Sequence, residues 1–335
     1  MNTLKSTLLW SVIIFFFSFP SFGFETLFED QFIDDCSPIR KEIARLPEAG
    51  GDVVIPSGDY TCRSPIVINR NSTRLIGIGD VIIRLAKNAN SPVIIMGEAL
   101  TPPQPLHDIQ VLNLKIDGNR WYQKFECWGG PCDTGSTTFI RNNGITVRGV
   151  TDGLIQNVFI TSARSGGVVT ERGCFDLEVD HLTSMDNEFD GFAGYETFGA
   201  RLTHLNLSNN KAAGISLDIR FNGNLFRDVK IENNGDVGVF MRDSSFNIFE
   251  EVTIENGGNH GVFLARAEDF STCSINNDFQ NLTVTRARGH GFRLNDFCEG
   301  NRLNGTTKLI QNRDGCIAEP VSGQLEIMGE VVCLE

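Results

Sequence analysis

The side chains with the clearest chemical capacity recur at the spacing of a repeat. Tyr195, Asp218 and Arg242 are separated by 23 and 24 residues, and His260 lies in the repeat that follows Arg242. Removal of a proton next to a carboxylate needs a group that neutralises the carboxylate, a base and an acid. We expect Arg242, His260 and Tyr195 to fill these roles in that order, with Asp218 inside the same catalytic site.

Further residues around these four positions are typical of a surface that binds sugars. Arginine can neutralise a uronate, exposed phenylalanine can stack on a sugar, and histidines in neighbouring repeats can shift one another's pKa. The predicted substrate-binding residues are Asp190, Phe240, Phe263, His290, Arg293, Trp121 and Trp128. If the repeats stack about 4.8 Å apart, the four catalytic positions span about 15 Å, which suits a few sugar units.

Two other functions stay open. A glycoside hydrolase could use Asp190, Asp218 and Asp243 as acid and base candidates, and an inverting pair needs carboxyl groups about 6.5–9.5 Å apart. A non-enzymatic polysaccharide-binding or surface protein is the third interpretation, because no complete catalytic signature is present. The sequence also has no phosphate-binding loop, H-E-x-x-H motif or C-x-x-C pair, so it indicates no nucleotide and no zinc and leaves only calcium open.

The repeat itself is visible in the glycine positions. The segments NNGITV, SGGVVT, DGFAGY, AGISLD, VGVFMR, HGVFLA, HGFRLN and DGCIAE align on Gly144, Gly167, Gly191, Gly214, Gly238, Gly261, Gly291 and Gly315. The steps are 23 or 24 residues, except for one step of 30 residues that contains Cys273. The residue after each glycine is almost always apolar and is predicted to point inward, so the second and fourth residues should point outward.

Self-similarity at this period predicts a solenoid. The segment LTHLNLSNN matches the leucine-rich-repeat pattern, which would add helices to each repeat. Each repeat here instead holds two short alternating segments that are rich in β-branched and aromatic residues, with no helical spacing. We therefore predict an all-β fold, a parallel β-helix whose short strands are joined by turns rich in Asn and Gly.

The N-terminal part of the chain carries a family resemblance. The stretch DDCSPIRKEIARLPEAGGDVVIPSGDYTCRSPIVI resembles the entry of the pectin-lyase-like superfamily of right-handed β-helix proteins, and NLKIDGNRW resembles another of its segments. In that superfamily a short amphipathic helix caps the open end of the core. Ile39, Ile43 and Leu46 have helical spacing, and Asp34 or Asp35 is a candidate helix cap. We expect a cap at 24–48, with its helix near 34–46, and the right-handed β-helix at 49–335.

The resemblance specifies the fold more closely than the activity. This scaffold hosts lyases, hydrolases, epimerases and non-enzymatic adhesins. The segment EFDGFAGYE is similar to the Asp- and His-bearing face of alginate epimerases. Together with the candidate residues, this similarity favours a lyase or epimerase that acts on a polysaccharide containing uronic acid, with a hydrolase of polygalacturonase type or a binding protein as the alternative.

Residues 119–143 interrupt the repeat with a group of aromatic residues. Trp121, Tyr122, Phe125 and Trp128 lie in this insertion. Aromatic rings on a loop beside a strand face suit a platform for sugar C–H faces. The same rings could instead fold back and cover the core, and the sequence does not decide between these alternatives.

The N-terminus and the net charge indicate an exported protein. Residues 1–23 have the layout of a signal peptide: Lys5, an apolar run from Leu8 to Phe17, and small residues up to Gly23. No other apolar run is long enough to span a membrane, so we expect a secreted or periplasmic monomer. Removal of residues 1–23 leaves 28 basic and 42 acidic residues, which argues against nucleic acid as a partner and leaves a polysaccharide.

All nine cysteines follow the predicted signal peptide, and export makes disulfides plausible. Proximity in the sequence suggests four pairs and leaves Cys174 over. The suggested pairs are Cys36–Cys62, Cys127–Cys132, Cys273–Cys298 and Cys316–Cys333. Spacing alone does not establish this connectivity.

Overall fold

A computed structural model describes residues 34–126, 140–267 and 272–335 of the chain. The described chain is a parallel β-solenoid of about 11 turns, which confirms the predicted fold class. The predicted signal peptide at 1–23 lies outside the described residues, as does most of the aromatic insertion.

The short helix at the N-terminal end also agrees with the sequence. Helix α1 spans Ser37–Arg45, and it is the one α-helix in the described part of the chain. Its residues Ile39 and Ile43 are buried against the hydrophobic core, and Leu46 packs beside them. The helix therefore closes the open end of the solenoid core, and the leucine-rich alternative, with a helix in every repeat, is wrong.

The prediction that Asp34 or Asp35 caps this helix is wrong. The helix begins after Cys36, and no side chain caps its N-terminus. Asp35 instead accepts the backbone N–H of Thr61 at 3.0 Å, and Asp34 accepts that of Arg63 at 3.3 Å. Both carboxylates are engaged by the end of the first strand, so they tie the helix to the solenoid.

The strands are short, as the alternating segments predict. In chain order they are β1 (Gly51–Cys62), β2 (Ile66–Ile68), β3 (Thr73–Leu85), β4 (Ile94–Gly97), β5 (Leu106–His107), β6 (Ile109–Asp117), β7 (Ile145–Arg148), β8 (Val150–Thr151), β9 (Leu154–Thr161), β10 (Val168–Glu171), β11 (Cys174–Phe175), β12 (Glu178–Met185), β13 (Phe192–Tyr195), β14 (Thr197–Phe198), β15 (Arg201–Ser208), β16 (Ile215–Asp218), β17 (Leu225–Glu232), β18 (Val239–Arg242), β19 (Ile248–Glu255), β20 (Val262–Ala265), β21 (Asp278–Gln280), β22 (Thr283–Thr285), β23 (Phe292–Leu294), β24 (Asn301–Asn304), β25 (Thr306–Ile310), β26 (Ile317–Ala318), β27 (Leu325–Ile327) and β28 (Glu330–Leu334). A 3-10 turn covers Arg120–Tyr122.

These strands form two parallel sheets that run the length of the solenoid and a third, short parallel sheet over four coils. A 14-stranded sheet is built on the order β1-β3-β6-β9-β12-β15-β17-β19-β21-β24-β27, with β22, β25 and β28 beside it. A 10-stranded sheet has the order β2-β4-β7-β10-β13-β16-β18-β20-β23-β26, and a 4-stranded sheet has the order β14-β11-β8-β5. Most coils contribute one strand to each of the first two sheets, and the C-terminal coils contribute two to the 14-stranded sheet, so side chains from successive repeats form columns on each face.

In the core and at the turns, side chains of the same type stack on one another from coil to coil. The rings of Phe226, Phe249 and Phe279 stack face to face, with centroids 4.8 and 4.6 Å apart. Buried asparagines form ladders at the turns; for example, Asn187 Nδ2 donates to Asn210 Oδ1 at 2.8 Å, and Asn210 Nδ2 to Asn234 Oδ1 at 3.0 Å. These ladders satisfy polar groups that the solenoid buries.

The aligned glycines permit a close approach between the turn and the core. A Cβ atom at Gly167 would lie 1.8 Å from Ser184 Oγ and 2.6 Å from the carbonyl oxygen of Gly191. A side chain at this position would therefore clash with the backbone of the next coil. This contact explains why glycine marks the repeat.

Three of the four predicted disulfides are present. Cys36–Cys62, Cys273–Cys298 and Cys316–Cys333 have Cα–Cα separations of 5.1, 5.0 and 5.9 Å. Cys174 is buried and free, as predicted. The predicted Cys127–Cys132 pair lies outside the described residues.

Candidate active site on the 10-stranded sheet

The columns predicted from the repeat are present on the 10-stranded sheet. Tyr195 on β13 pairs in register with Asp218 on β16, and Asp218 pairs with Arg242 on β18. In the neighbouring column, Phe240 pairs with Phe263, and Phe263 pairs with Arg293. The sheet thus brings these predicted residues onto one face.

Asp218 and Arg242 lie on adjacent coils and form an ion pair. Arg242 Nε donates to Asp218 Oδ2 at 2.9 Å, and Nη2 makes a second, shorter contact with the same oxygen. Asp218 also accepts the backbone N–H of Ile219 at 2.8 Å. Asp218 is 8% exposed and is paired with Arg242, so Arg242 is less available to neutralise a substrate than the sequence suggested.

Tyr195 lies among several charged groups. It is half-buried, and burial raises its pKa to about 12, with further raising effects from Asp190, Asp218 and Glu171 and an opposing effect from Arg141. The phenol therefore keeps its proton at neutral pH. A protonated tyrosine can act as a proton donor.

Asp190 lies at the turn just before β13, and its charge raises the pKa of Tyr195. Burial raises the pKa of Asp190 to about 6, while the N–H of Ala213, which donates to Oδ1 at 2.9 Å, and the charge of Arg141 act in the opposite direction. Asp190 therefore changes charge close to neutral pH. Such a pKa lies in the range in which a carboxylate is effective in proton transfer.

Arg141 and Glu126 complete this group, and the sequence analysis missed both. Arg141 Nε lies 3.5 Å from Glu126 Oε1, and its guanidinium lies 4.6 Å from the centre of the Phe189 ring. Burial raises the pKa of Glu126 to about 7 against the lowering effect of Arg141, and Glu126 Oε2 is buried without a hydrogen bond. Both residues lie inside the insertion at 119–143, where the column pattern gives no position. The available signal was the charge of Arg141 three residues before Gly144.

The sequence places His260 with the outward-facing catalytic candidates, but the structure buries it. It is 5% exposed, its Nδ1 accepts the backbone N–H of His290 at 2.9 Å, and its Nε2 lies 2.9 Å from Arg293 Nη1. Burial lowers the pKa of His260 to about 4, and the charges of Arg293 and His290 lower it further. His260 precedes its glycine and so lies in the turn, where it is neutral at pH 7 and has no free nitrogen.

The aromatic column beside the site is accessible. The rings of Phe240 and Phe263 meet edge to face with centroids 5.9 Å apart, and the Arg293 guanidinium lies 5.0 Å from the centre of the Phe263 ring. All three side chains are half-buried. Arg293 and His290 also line a groove of about 370 Å³ at the next coils. This column offers both ring faces and a positive charge.

Trp121 lies at the turns that lead into the 10-stranded sheet. It is 73% exposed, with the Arg120 guanidinium 4.5 Å and Lys211 Nζ 5.6 Å from its ring centre. A residue that covers the core would be mostly buried, so Trp121 does not have that role. Trp128, the other predicted platform residue, lies outside the described residues.

The chain belongs to a family of β-helix proteins. The family model described as "Right handed beta helix region" matches residues 110–319, which is more than half of the chain. This match gives the solenoid its hand, and with the solved structures below it supports the pectin-lyase-like superfamily. No curated protein matches the sequence. Within the described ranges, no helix is long and apolar enough to cross a membrane.

Several solved structures are similar to this chain. The A-module of mannuronan C-5 epimerase AlgE6 from Azotobacter vinelandii has 16% identity and a TM-score of 0.56, over 89% of this chain and 95% of that one. An endo-xylogalacturonan hydrolase from Aspergillus tubingensis has 12% identity and a TM-score of 0.59, over 89% and 88%. The periplasmic alginate epimerase AlgG has 13% identity and a TM-score of 0.53, over 84% and 84%. At such identities the likeness shows a shared fold.

Proposed function

We propose that this chain is an exported, carbohydrate-active enzyme that removes the C5 proton of a uronic-acid residue in a polysaccharide, as a lyase or an epimerase. The three disulfides and the predicted signal peptide support export, because disulfides persist in oxidising compartments. The similar folds include two epimerases and a hydrolase whose names refer to uronate polymers. The choice of reaction depends on the site.

The observation that carries the proposal is the electrostatic coupling of Asp190, Tyr195 and Arg141, with the Arg141 guanidinium placed over Phe189, the residue before Asp190. They offer a carboxyl group with a pKa of about 6, a phenol that keeps its proton, and a cation whose partner Glu126 has a pKa of about 7. These are a base, an acid and a group that neutralises a carboxylate. The roles first assigned to His260 and Arg242 therefore pass to Asp190 and Arg141.

The reaction follows from these roles. The Asp190 carboxylate takes the C5 proton, and the electron pair of the broken C–H bond moves into the substrate carboxylate, where the positive charge of Arg141 stabilises it. In a lyase the pair then forms the C4–C5 double bond, the C4–O bond breaks, and Tyr195 protonates the leaving oxygen. In an epimerase Tyr195 returns a proton to the opposite face of C5, and no bond in the chain breaks.

The neighbouring column extends the surface for a polymer. From Tyr195 to Arg293 the sheet passes through five coils, or about 19 Å at 4.8 Å per step. Phe240 and Phe263 offer faces for stacking, and Arg293 offers a charge for a second uronate. The predicted substrate is therefore an acidic polysaccharide, although the chain as a whole has a net charge of −13.

The test is product analysis with alginate, pectate and glycosaminoglycans. A lyase produces ultraviolet absorbance from the unsaturated sugar, and an epimerase in D₂O exchanges the C5 proton without chain cleavage. Arg141→Gln should lower kcat/KM on the active polymer about 100-fold or more. Arg74→Gln, which removes an exposed arginine paired with Asp52, is the matched control and should leave activity unchanged.

Hydrolysis is the second candidate, and one observation favours it. Asp190 has a raised pKa, whereas Asp218, one coil away, is ion-paired with Arg242. A glycosidase needs two carboxyl groups in different electrostatic environments as acid and base, and Asp190 and Asp218 differ in this way. Release of reducing ends without ultraviolet absorbance would support this reaction, and retention of a polymer with no product would support a binding protein.

A further inference from the structure

A second cluster of chemical groups lies on the 14-stranded sheet, away from the candidate active site. Asp180, His181 and His204 offer three ligand atoms that all lie within 4.8 Å of one another. Asp180 and His181 are on β12, and His204 is on the adjacent strand β15. Two of the five histidines in the chain therefore meet at one carboxylate.

The backbone places the two imidazoles side by side. The register pairs Asp180 with Thr203, so His181 and His204 occupy the same position in successive coils. This position forms a column in which every residue has a left-handed backbone, with φ between 53° and 57°: Asn113, Asn157, His181, His204, Asp228, Glu251 and Asn281. Asparagine, aspartate and histidine are all enriched in this conformation, and here two histidines and an aspartate occupy the middle of the column.

The column holds the rings in a fixed arrangement. The two imidazole rings stack with centroids 4.4 Å apart and planes 25° apart. His181 Nδ1 lies 2.8 Å from Asp180 Oδ2, and His204 Nδ1 lies 2.7 Å from Asp180 Oδ1. Both Nδ1 atoms thus face the same carboxylate, and both rings remain about half exposed.

Asp180 is held in place by its other neighbours. Gln156 Nε2 donates to Oδ2 at 3.1 Å, and Thr203 Oγ1 donates to Oδ1 at 2.9 Å. Each carboxylate oxygen therefore contacts one histidine and one further hydrogen-bond donor. The carboxylate is oriented before any ligand arrives.

We propose that Asp180, His181 and His204 form a binding site for a divalent transition-metal ion of the zinc type. Imidazole nitrogen and carboxylate oxygen are common ligands of Zn²⁺, whereas Ca²⁺ takes oxygen ligands almost alone. When both Nδ1 atoms bind the metal, the ring protons move to Nε2. The remaining coordination positions are open to water or to a ligand from outside.

Asp228 supports this assignment from the next coil. Its Oδ2 lies 3.9 Å from His204 Nε2, on the opposite side of the ring from Asp180. Once Nδ1 binds a metal, Nε2–H can donate to this carboxylate. A carboxylate behind a metal-bound histidine fixes the ring and strengthens the bond to the metal.

The site does not have the H-E-x-x-H pattern, because that motif places both histidines on one helix. Here the ligands are separated by one coil, and only the register of β12 and β15 brings them together.

The test is calorimetric titration of the full, disulfide-bonded chain with Zn²⁺, after chelator treatment and without a polyhistidine tag. We expect one equivalent to bind. His181→Gln and His204→Gln should each weaken binding at least tenfold, and Asp228→Asn about tenfold. His107→Gln, which removes a histidine elsewhere, is the matched control. Ca²⁺ should not compete.

Co²⁺ serves as a second probe, because its visible spectrum reports nitrogen ligands. The spectrum should appear with wild type and His107→Gln and be absent with His181→Gln/His204→Gln, while the melting temperatures of all the metal-free proteins stay similar. Unchanged Zn²⁺ stoichiometry and affinity in the double variant would overturn the proposal. No binding to wild type would do the same.

Discussion

Arg242 binds Asp218 across adjacent coils of the 10-stranded sheet, through Nε at 2.9 Å and through Nη2. The column that aligns possible catalytic residues therefore also aligns ionic partners. A charged residue in such a column can stabilise the fold, take part in catalysis or do both. A short distance to an ionic partner on the adjacent coil indicates that it stabilises the fold.

The first prediction concerns this ion pair. Arg242→Ala leaves the buried Asp218 carboxylate without its cation, so the free energy of unfolding should fall by about 1–3 kcal/mol, less than for a fully buried pair since Arg242 is partly exposed. Urea unfolding measures this change. Arg220→Ala, which removes an exposed arginine paired with Glu196, is the matched control and should cost less than about 1 kcal/mol. Equal losses in the two variants would show that burial of Asp218 does not matter.

The second prediction concerns His260 and the pH dependence of stability. The pKa of His260 is about 4 in the folded chain, below its ordinary value of 6.5, so the unfolded chain binds more protons between these values. This histidine therefore causes wild type to lose stability as the pH falls from about 6.5 to about 4. His260→Gln should lower the free energy of unfolding at pH 7 but reduce its further loss between about pH 6.5 and about pH 4. Urea unfolding at several pH values measures this change. His107→Gln should keep the wild-type slope, and an unchanged slope in His260→Gln would contradict the assignment.

The third prediction concerns the proton donor. Tyr195→Phe removes only the hydroxyl group, so kcat on the active polymer should fall about 10²–10⁴-fold while the melting temperature stays close to that of wild type. Tyr60→Phe removes a hydroxyl that donates to the Pro56 carbonyl at 2.8 Å, far from the site, and is the matched control. A fully active Tyr195→Phe would move the acid to another residue.

The fourth prediction uses the pKa of Asp190 to distinguish two reactions. As a base, Asp190 must be ionised, so kcat/KM should rise as the pH increases through about 6 and then level off. As the acid of a hydrolase, Asp190 must be protonated, so activity should fall through the same pH. The measurement is kcat/KM between pH 4 and pH 9 at constant ionic strength. A profile in which kcat/KM does not change near pH 6 would exclude both roles.

The repeat made most of the fold predictable, because glycine spacing and apolar alternation act locally. The marker glycine lies where a Cβ would meet the next coil, as at Gly167, and the next residue is predicted to point inward. The same rule placed Tyr195, Asp218 and Arg242 in one column. Proximity of the cysteines in the sequence, a separate signal, suggested the three disulfides that the structure contains.

The site was less predictable because its chemistry depends on partners from other coils. The column rule gives the direction of Arg242 but not its bond to Asp218. It says nothing of His260, which precedes the glycine and so falls in a buried turn, or of Arg141, which lies where the repeat is interrupted. Burial and pairing decide these roles, and neither has a local signal.

The most direct test of the central claim is C5 proton exchange in D₂O, followed by NMR on alginate, pectate and glycosaminoglycans with wild type, Asp190→Asn and the control Asp80→Asn. Asp80 is an exposed carboxylate paired with Lys115 on the other sheet. Proton removal by Asp190 predicts deuterium at C5, or an unsaturated product, with wild type and Asp80→Asn, and a loss of about 10²–10⁴-fold with Asp190→Asn. Equal rates for Asp190→Asn and wild type, or reducing ends without any change at C5, would contradict it.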